Sequence, residues 1–139
     1  MCGMHARLHR SMDAVPASVP ALRGAVAEFA IAAGIGEPLL TSVKLAVSEA
    51  VTNAVVHAYA GAPRPGPVHV AAWLQGDELR VEVRDDGAGM MPRLDSPGLG
   101  VGLPFIAATA DVLDIDSPPR GGTRLRMTFA LEPAAARCG

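Results

Sequence analysis

Thr41-Ser42-Val43-Lys44-Leu45-Ala46-Val47-Ser48-Glu49-Ala50-Val51-Thr52-Asn53-Ala54-Val55-Val56-His57-Ala58-Tyr59 reads as one helix. Apolar residues at Leu39, Leu40, Val43, Ala46, Val47, Ala50, Val51, Ala54, Val55 and Ala58 recur at spacings of three and four, the pattern of a helix that buries one broad stripe. On a second stripe Glu49, Asn53 and His57 follow one another at i, i+4 and i+8. Side chains four apart stack along one face, so a carboxylate and a carboxamide project together from a helix otherwise committed to a core. Alone, such a pair is usually a solvated flank. Its weight comes from the rest of the chain.

Upstream, Pro16 and Pro20 bracket a helix start with Ser18 as its N-cap, and Val19, Leu22, Val26, Phe29 and Ala30 mark a buried face running to about Ala33. Gly34 and Gly36 stop it, and Glu37-Pro38 opens the next helix. Arg7 to Met12 alternate weakly, as an edge strand does.

Downstream, Ala60-Gly61-Ala62-Pro63-Arg64-Pro65-Gly66-Pro67 is a surface loop. Val68, Val70, Ala72 and Leu74 then alternate with His69, Ala71 and Trp73, and Leu79, Val81 and Val83 alternate with Arg80, Glu82 and Arg84. The link Gln75-Gly76-Asp77-Glu78 makes the two runs an antiparallel hairpin. Asp85 shares the parity of Leu79, Val81 and Val83 and therefore points inward. An inward carboxylate is costly unless something donates hydrogen bonds to it. Two uses fit: capping the turn Asp85-Asp86-Gly87-Ala88-Gly89, or receiving a ligand.

Met90 to Pro97 is a short irregular segment, after which Gly98-Leu99-Gly100-Val101-Gly102-Leu103-Pro104-Phe105-Ile106 runs into a helix continuing to about Ala110. Glycines that lead into a helix N-terminus let backbone N–H groups approach phosphate oxygens, where the helix dipole also favours an anion. Val112 to Ile115 and Thr123 to Leu131 close the pattern as strands. Thr123 shares the parity of Leu125, Met127 and Phe129, so its hydroxyl faces the core side and meets Asp85 if those strands are neighbours.

With 139 residues the chain is expected to be one domain, 1–139. Half of the residues are apolar and the net charge is −2, which argues against a nucleic-acid binder driven by a basic surface. Only Cys2 and Cys138 occur, without metal-ligand spacing to any histidine. The N-terminus lacks the apolar run of a leader, and no apolar segment is read as approaching the roughly 20 residues that cross a bilayer, so a cytoplasmic location with no membrane partner is expected.

Four features thus stand in fixed order: the Glu49/Asn53 helix, Asp85-Asp86-Gly87-Ala88-Gly89, Gly98-Leu99-Gly100-Val101-Gly102, and Gly121-Gly122-Thr123. Together they resemble the N box, DxGxG box, GxGxG box and GT-containing strand of the GHKL ATPase superfamily, over nearly the whole chain. The small single-domain form and the run from Ala46-Val47-Ser48-Glu49 through Asn53 to His57-Ala58-Tyr59 look most like the bacterial anti-sigma factor/serine-protein kinase group (RsbW-like).

The resemblance implies a two-layer α/β sandwich, with a mixed, mostly antiparallel sheet and helices on one face. It implies ATP and Mg²⁺ as cofactors. Asp85 would accept from the adenine amino group with Thr123 in support, and Asn53 would offer its oxygen to Mg²⁺. Glu49 would be the general base. Gly87, Gly89, Gly98, Gly100, Val101, Gly102 and Leu103 would line the nucleotide, with Met90 to Pro97 as a lid and Arg93 its one basic residue. Such a protein binds a sigma factor and phosphorylates an anti-anti-sigma (STAS-type) partner on serine or threonine, and a homodimer is implied by resemblance alone. The competing expectation is a non-catalytic, ATP-dependent binding module that sequesters a sigma factor or another regulator.

Overall fold

The structure is a computed structural model, and it describes residues 6–87, 106 and 109–131. In chain order the elements are β1 (Arg7–Asp13), α1 (Ser18–Ala32), α2 (Leu39–Asn53), a π-helical turn (Ala54–Ala58), β2 (Pro67–Gln75), β3 (Glu78–Asp85), β4 (Val112–Asp116) and β5 (Thr123–Ala130). The strands form one sheet in the order β1-β2-β3-β5-β4. Each described pairing is antiparallel, so no parallel pair of the expected mixed sheet is found among the described residues.

Parity puts the core on one face of this sheet. Leu79, Val81 and Val83 of β3, Val68, Val70 and Ala72 of β2, and Leu125, Met127 and Phe129 of β5 are buried. Opposite them lie Leu22, Val26 and Ala30 of α1 and Val43, Ala46, Val47, Ala50 and Val51 of α2. The other face alternates in charge, with Arg126 on Glu82 (3.2 Å) and Arg124 on Asp116 (2.9 Å) across neighbouring strands.

Helix ends follow local chemistry. The last turn of α1 closes as a Schellman motif: Gly34, at φ 88°, follows the C-cap Ala33, Ile35 N–H donates to Ala30 O (3.0 Å) and Gly34 N–H to Ile31 O (3.0 Å). Buried Ile35 completes it. Ser18 does not cap α1 as the sequence predicts. It is the first helical residue, fully buried, and its hydroxyl donates to the Asp13 carbonyl, tying the end of β1 to the helix. For α2, Glu37 Oε1 accepts from Thr41 N–H (2.9 Å) and Thr41 Oγ1 (2.6 Å), satisfying a donor of the first turn.

The expectation of no apolar segment near 20 residues needs correction: Leu39–Ala58 is 20 residues with a mean hydropathy of 1.3, enough by length and composition to cross a bilayer. Its apolar stripe is instead spent on α1 and the sheet, as in a core helix. Arg23 Nη1 reaching Ser48 Oγ (3.2 Å) ties the two helices on their polar edge.

Candidate nucleotide site

The inward turn of Asp85 is realised. Its residue is 7% exposed at the end of β3, and Thr123, 5% exposed, is its partner across the β3–β5 pairing. Oδ1 accepts from Gly87 N–H (3.0 Å) and Thr123 N–H (3.3 Å). The turn-capping reading of Asp85 is thus realised, through Oδ1 alone among the described residues. Burial raises the carboxyl above its ordinary value, against the lowering effect of the Gly87 and Thr123 N–H groups; Asp86 adds to the rise and Arg84 opposes it.

The geometry depends on two glycines. Gly122 has φ 85°, and a Cβ there would lie 2.0 Å from the Asp85 carbonyl oxygen. Only glycine lets the β4–β5 turn deliver Thr123 to Asp85. At Gly87 a Cβ would lie 2.1 Å from the Ala58 carbonyl oxygen, so the turn after β3 rests directly on the end of the central helix.

The same helix carries the other two residues singled out from the sequence, Glu49 and Asn53. Glu49 and Asn53 are both half-buried, four residues apart on α2. Asn53 Nδ2 is buried with no hydrogen-bond partner among the described residues. An orphaned buried amide costs stability, which a site tolerates where the group serves a ligand. The π turn begins directly after Asn53. His57 lies within that turn and is exposed.

Tyr59 and Asp86 are participants that sequence reasoning passed over. Tyr59 Oη donates to Pro67 O (2.6 Å) and accepts from Asp86 N–H (2.8 Å). The Asp86 carboxylate is held by Arg84 Nη1 (2.9 Å) and His69 Nε2 (3.0 Å), and His69 Nδ1 meets Ser11 Oγ (2.7 Å). Ala58, Tyr59, Gly61, Ala62, Asp86 and Gly87 line an open cleft of about 350 Å³ between the helix end and the β3 turn. The available signal was Tyr59's place at the foot of the helix just before a Gly/Pro-rich loop.

Gly89, Gly98, Gly100, Val101, Gly102 and Leu103, together with the expected lid and Arg93, lie outside the described residues. Among the described residues no group of three or more His, Cys, Asp or Glu side chains is placed to hold a metal. A cation at Asn53 would thus draw its remaining ligands from elsewhere.

Residues 12–129 match the family model of the histidine kinase-like ATPase domain. The chain belongs to that family. Within this ATPase family it is 34% identical over 100 residues to an anti-sigma F factor of Thermoanaerobacter sp. (strain X514), an alignment covering 64% of this chain and 68% of that one. An anti-sigma F factor of Bacillus subtilis (strain 168) is 29% identical over 148 residues, covering 97% of this chain and 99% of the relative. Among solved structures, the RsbU and RsbW domains of Rv1364c from Mycobacterium tuberculosis superpose with a TM-score of 0.72 at 29% identity, covering 92% of this chain and 33% of that one. A histidine kinase domain from the Erythrobacter litoralis EL346 blue-light activated histidine kinase shares the fold, with a TM-score of 0.58 at 24% identity, 81% of this chain and 61% of that one. ATP binding is the property that this membership carries.

Proposed function

We propose that this ATPase-family chain is an anti-sigma factor that phosphorylates an anti-anti-sigma partner on serine or threonine. The observation that carries the reading is the buried Asp85/Thr123 pair, in a chain 29% identical to an anti-sigma F factor along almost its whole length. The carboxylate faces inward, one oxygen is held by two backbone donors, and the other suits an exocyclic amino group, which favours adenine over guanine. Thr123, its cross-strand partner, would support the same base, directly or through water.

The residues present fit Mg-ATP. Mg²⁺ binds through one or two protein oxygens and takes the rest from phosphates and water. The carboxamide oxygen of Asn53, whose Nδ2 is buried with no partner among the described residues, would be one such ligand. Bound Mg-ATP supplies the phosphoryl group. Glu49, one helical turn from Asn53, accepts the proton of the attacking hydroxyl.

Intact-mass spectrometry of a purified STAS-type partner incubated with Mg-ATP tests the reading. One added phosphate with the wild-type chain, and its loss with Glu49→Gln while ATP still binds, is the expected result. Equal phosphorylation by Glu49→Gln would remove Glu49 as the base. Binding of a partner with no phosphate transferred would favour the ATP-dependent binding module.

A further inference from the structure

The Tyr59 hydroxyl bridges two points that the chain separates widely: the carbonyl of Pro67, where β2 begins, and the N–H of Asp86, the residue directly after Asp85. We infer that Tyr59 is a positioning residue for base recognition, holding the Asp85–Asp86 peptide so that the Asp85 carboxylate keeps its aim. The inference rests on the reading of Asp85 as the acceptor for the adenine amino group.

Three contacts converge on this short stretch. Asp86 N–H donates to Tyr59 Oη at 2.8 Å, and that bond sets the orientation of the peptide plane leaving Asp85. Gly87 packs against the Ala58 carbonyl so closely that no Cβ fits, so the neighbouring residue of the same helix end braces the next position. Gly87 N–H in turn holds Asp85 Oδ1 at 3.0 Å. The end of the π turn thus reaches the Asp85 carboxylate through one peptide on each side of Asp86.

Tyr59 itself has little freedom. Its hydroxyl is fixed by donation to Pro67 O at 2.6 Å, and its ring lies against Gly66, where a Cβ would stand 2.5 Å from Cε1. Phenylalanine at 59 keeps the ring and leaves both the Asp86 N–H and the Pro67 carbonyl without this partner. Because a carboxylate selects a base by direction as well as charge, a small rotation at Asp85 costs discrimination before it costs phosphate binding.

The test compares ADP with inosine diphosphate, which lacks the amino group, by competition against a fluorescent adenine nucleotide, in wild type, Tyr59→Phe, Gly66→Ala and Asp85→Asn. Gly66→Ala keeps the hydroxyl but displaces the ring. The expected result is that Tyr59→Phe and Gly66→Ala each weaken ADP by about tenfold and change inosine diphosphate by less than about twofold, so that the preference falls as it does in Asp85→Asn. A drop in melting temperature with the preference intact in both variants, while Asp85→Asn loses it, would overturn the role of Tyr59 and leave the base reading standing. An intact preference in Asp85→Asn would overturn the base reading and the positioning role together.

Discussion

Asp85 and Thr123 face each other across the β3–β5 pairing, and the Thr123 N–H donates to Asp85 Oδ1 at 3.3 Å, inside the layer between sheet and helices. One bond therefore joins two segments 38 residues apart at the proposed base site. Burial of this carboxylate costs stability, and its consequences can be measured.

The first concerns pH. Burial raises the Asp85 carboxyl above 3.8, so the folded chain holds that proton more tightly than the unfolded chain does. Its stabilising contribution is fully present below the unfolded value and is lost as pH rises through the folded one. Asp85→Asn, which keeps an oxygen for the two backbone donors, should gain stability over wild type as pH rises through that window and hold a constant advantage above it. Urea unfolding of both forms from about pH 3.5 to 7 checks this. A difference that shrinks with rising pH would contradict it.

At Asn53, function and stability should move in opposite directions. Its Nδ2 is buried with no partner among the described residues, so Asn53→Ala removes an unsatisfied donor. Thermal melting without ligand should be unchanged or raised. Mg²⁺-dependent tightening of ATP binding should disappear, as read by calorimetry with and without Mg²⁺. A large fall in melting temperature with Mg²⁺ dependence intact would contradict this.

Two glycines with positive φ provide an internal comparison. Gly76, at φ 58° in the β2–β3 turn, has open space around a built Cβ, so Gly76→Ala should cost only about 1 kcal/mol of backbone strain. Gly122, at φ 85°, adds a clash at 2.0 Å with the Asp85 carbonyl oxygen. Gly122→Ala should cost at least about 3 kcal/mol and weaken nucleotide binding, since the strand that delivers Thr123 must shift. Equal costs at the two positions would show that the Gly122 contact relaxes freely.

Much of this site was legible in the sequence because strand parity is a strict rule. Asp85 follows Leu79, Val81 and Val83 by twos, and Thr123 precedes Leu125, Met127 and Phe129 in the same way, so both inward orientations follow from alternation, while their meeting needed β3 and β5 to be neighbours. The helical stripe was equally readable up to Asn53. Beyond it, the π turn Ala54–Ala58 carries no periodic signal of its own, and the run to Tyr59 was read as one unbroken helix. The Tyr59 bridge was invisible for another reason: its partners are 8 and 27 residues away, joined by tertiary placement rather than spacing. Ser18 shows the same limit, because its buried hydroxyl found a strand carbonyl instead of a helix N–H.

The most direct measurement is a calorimetric titration of the wild-type chain and Asp85→Asn with Mg-ATP. Saturable binding to wild type, weakened about 30-fold (about 2 kcal/mol) in Asp85→Asn with an unchanged circular dichroism spectrum, is the predicted result. Equal affinity for the two would show that the buried carboxylate beside Thr123 does not read the base.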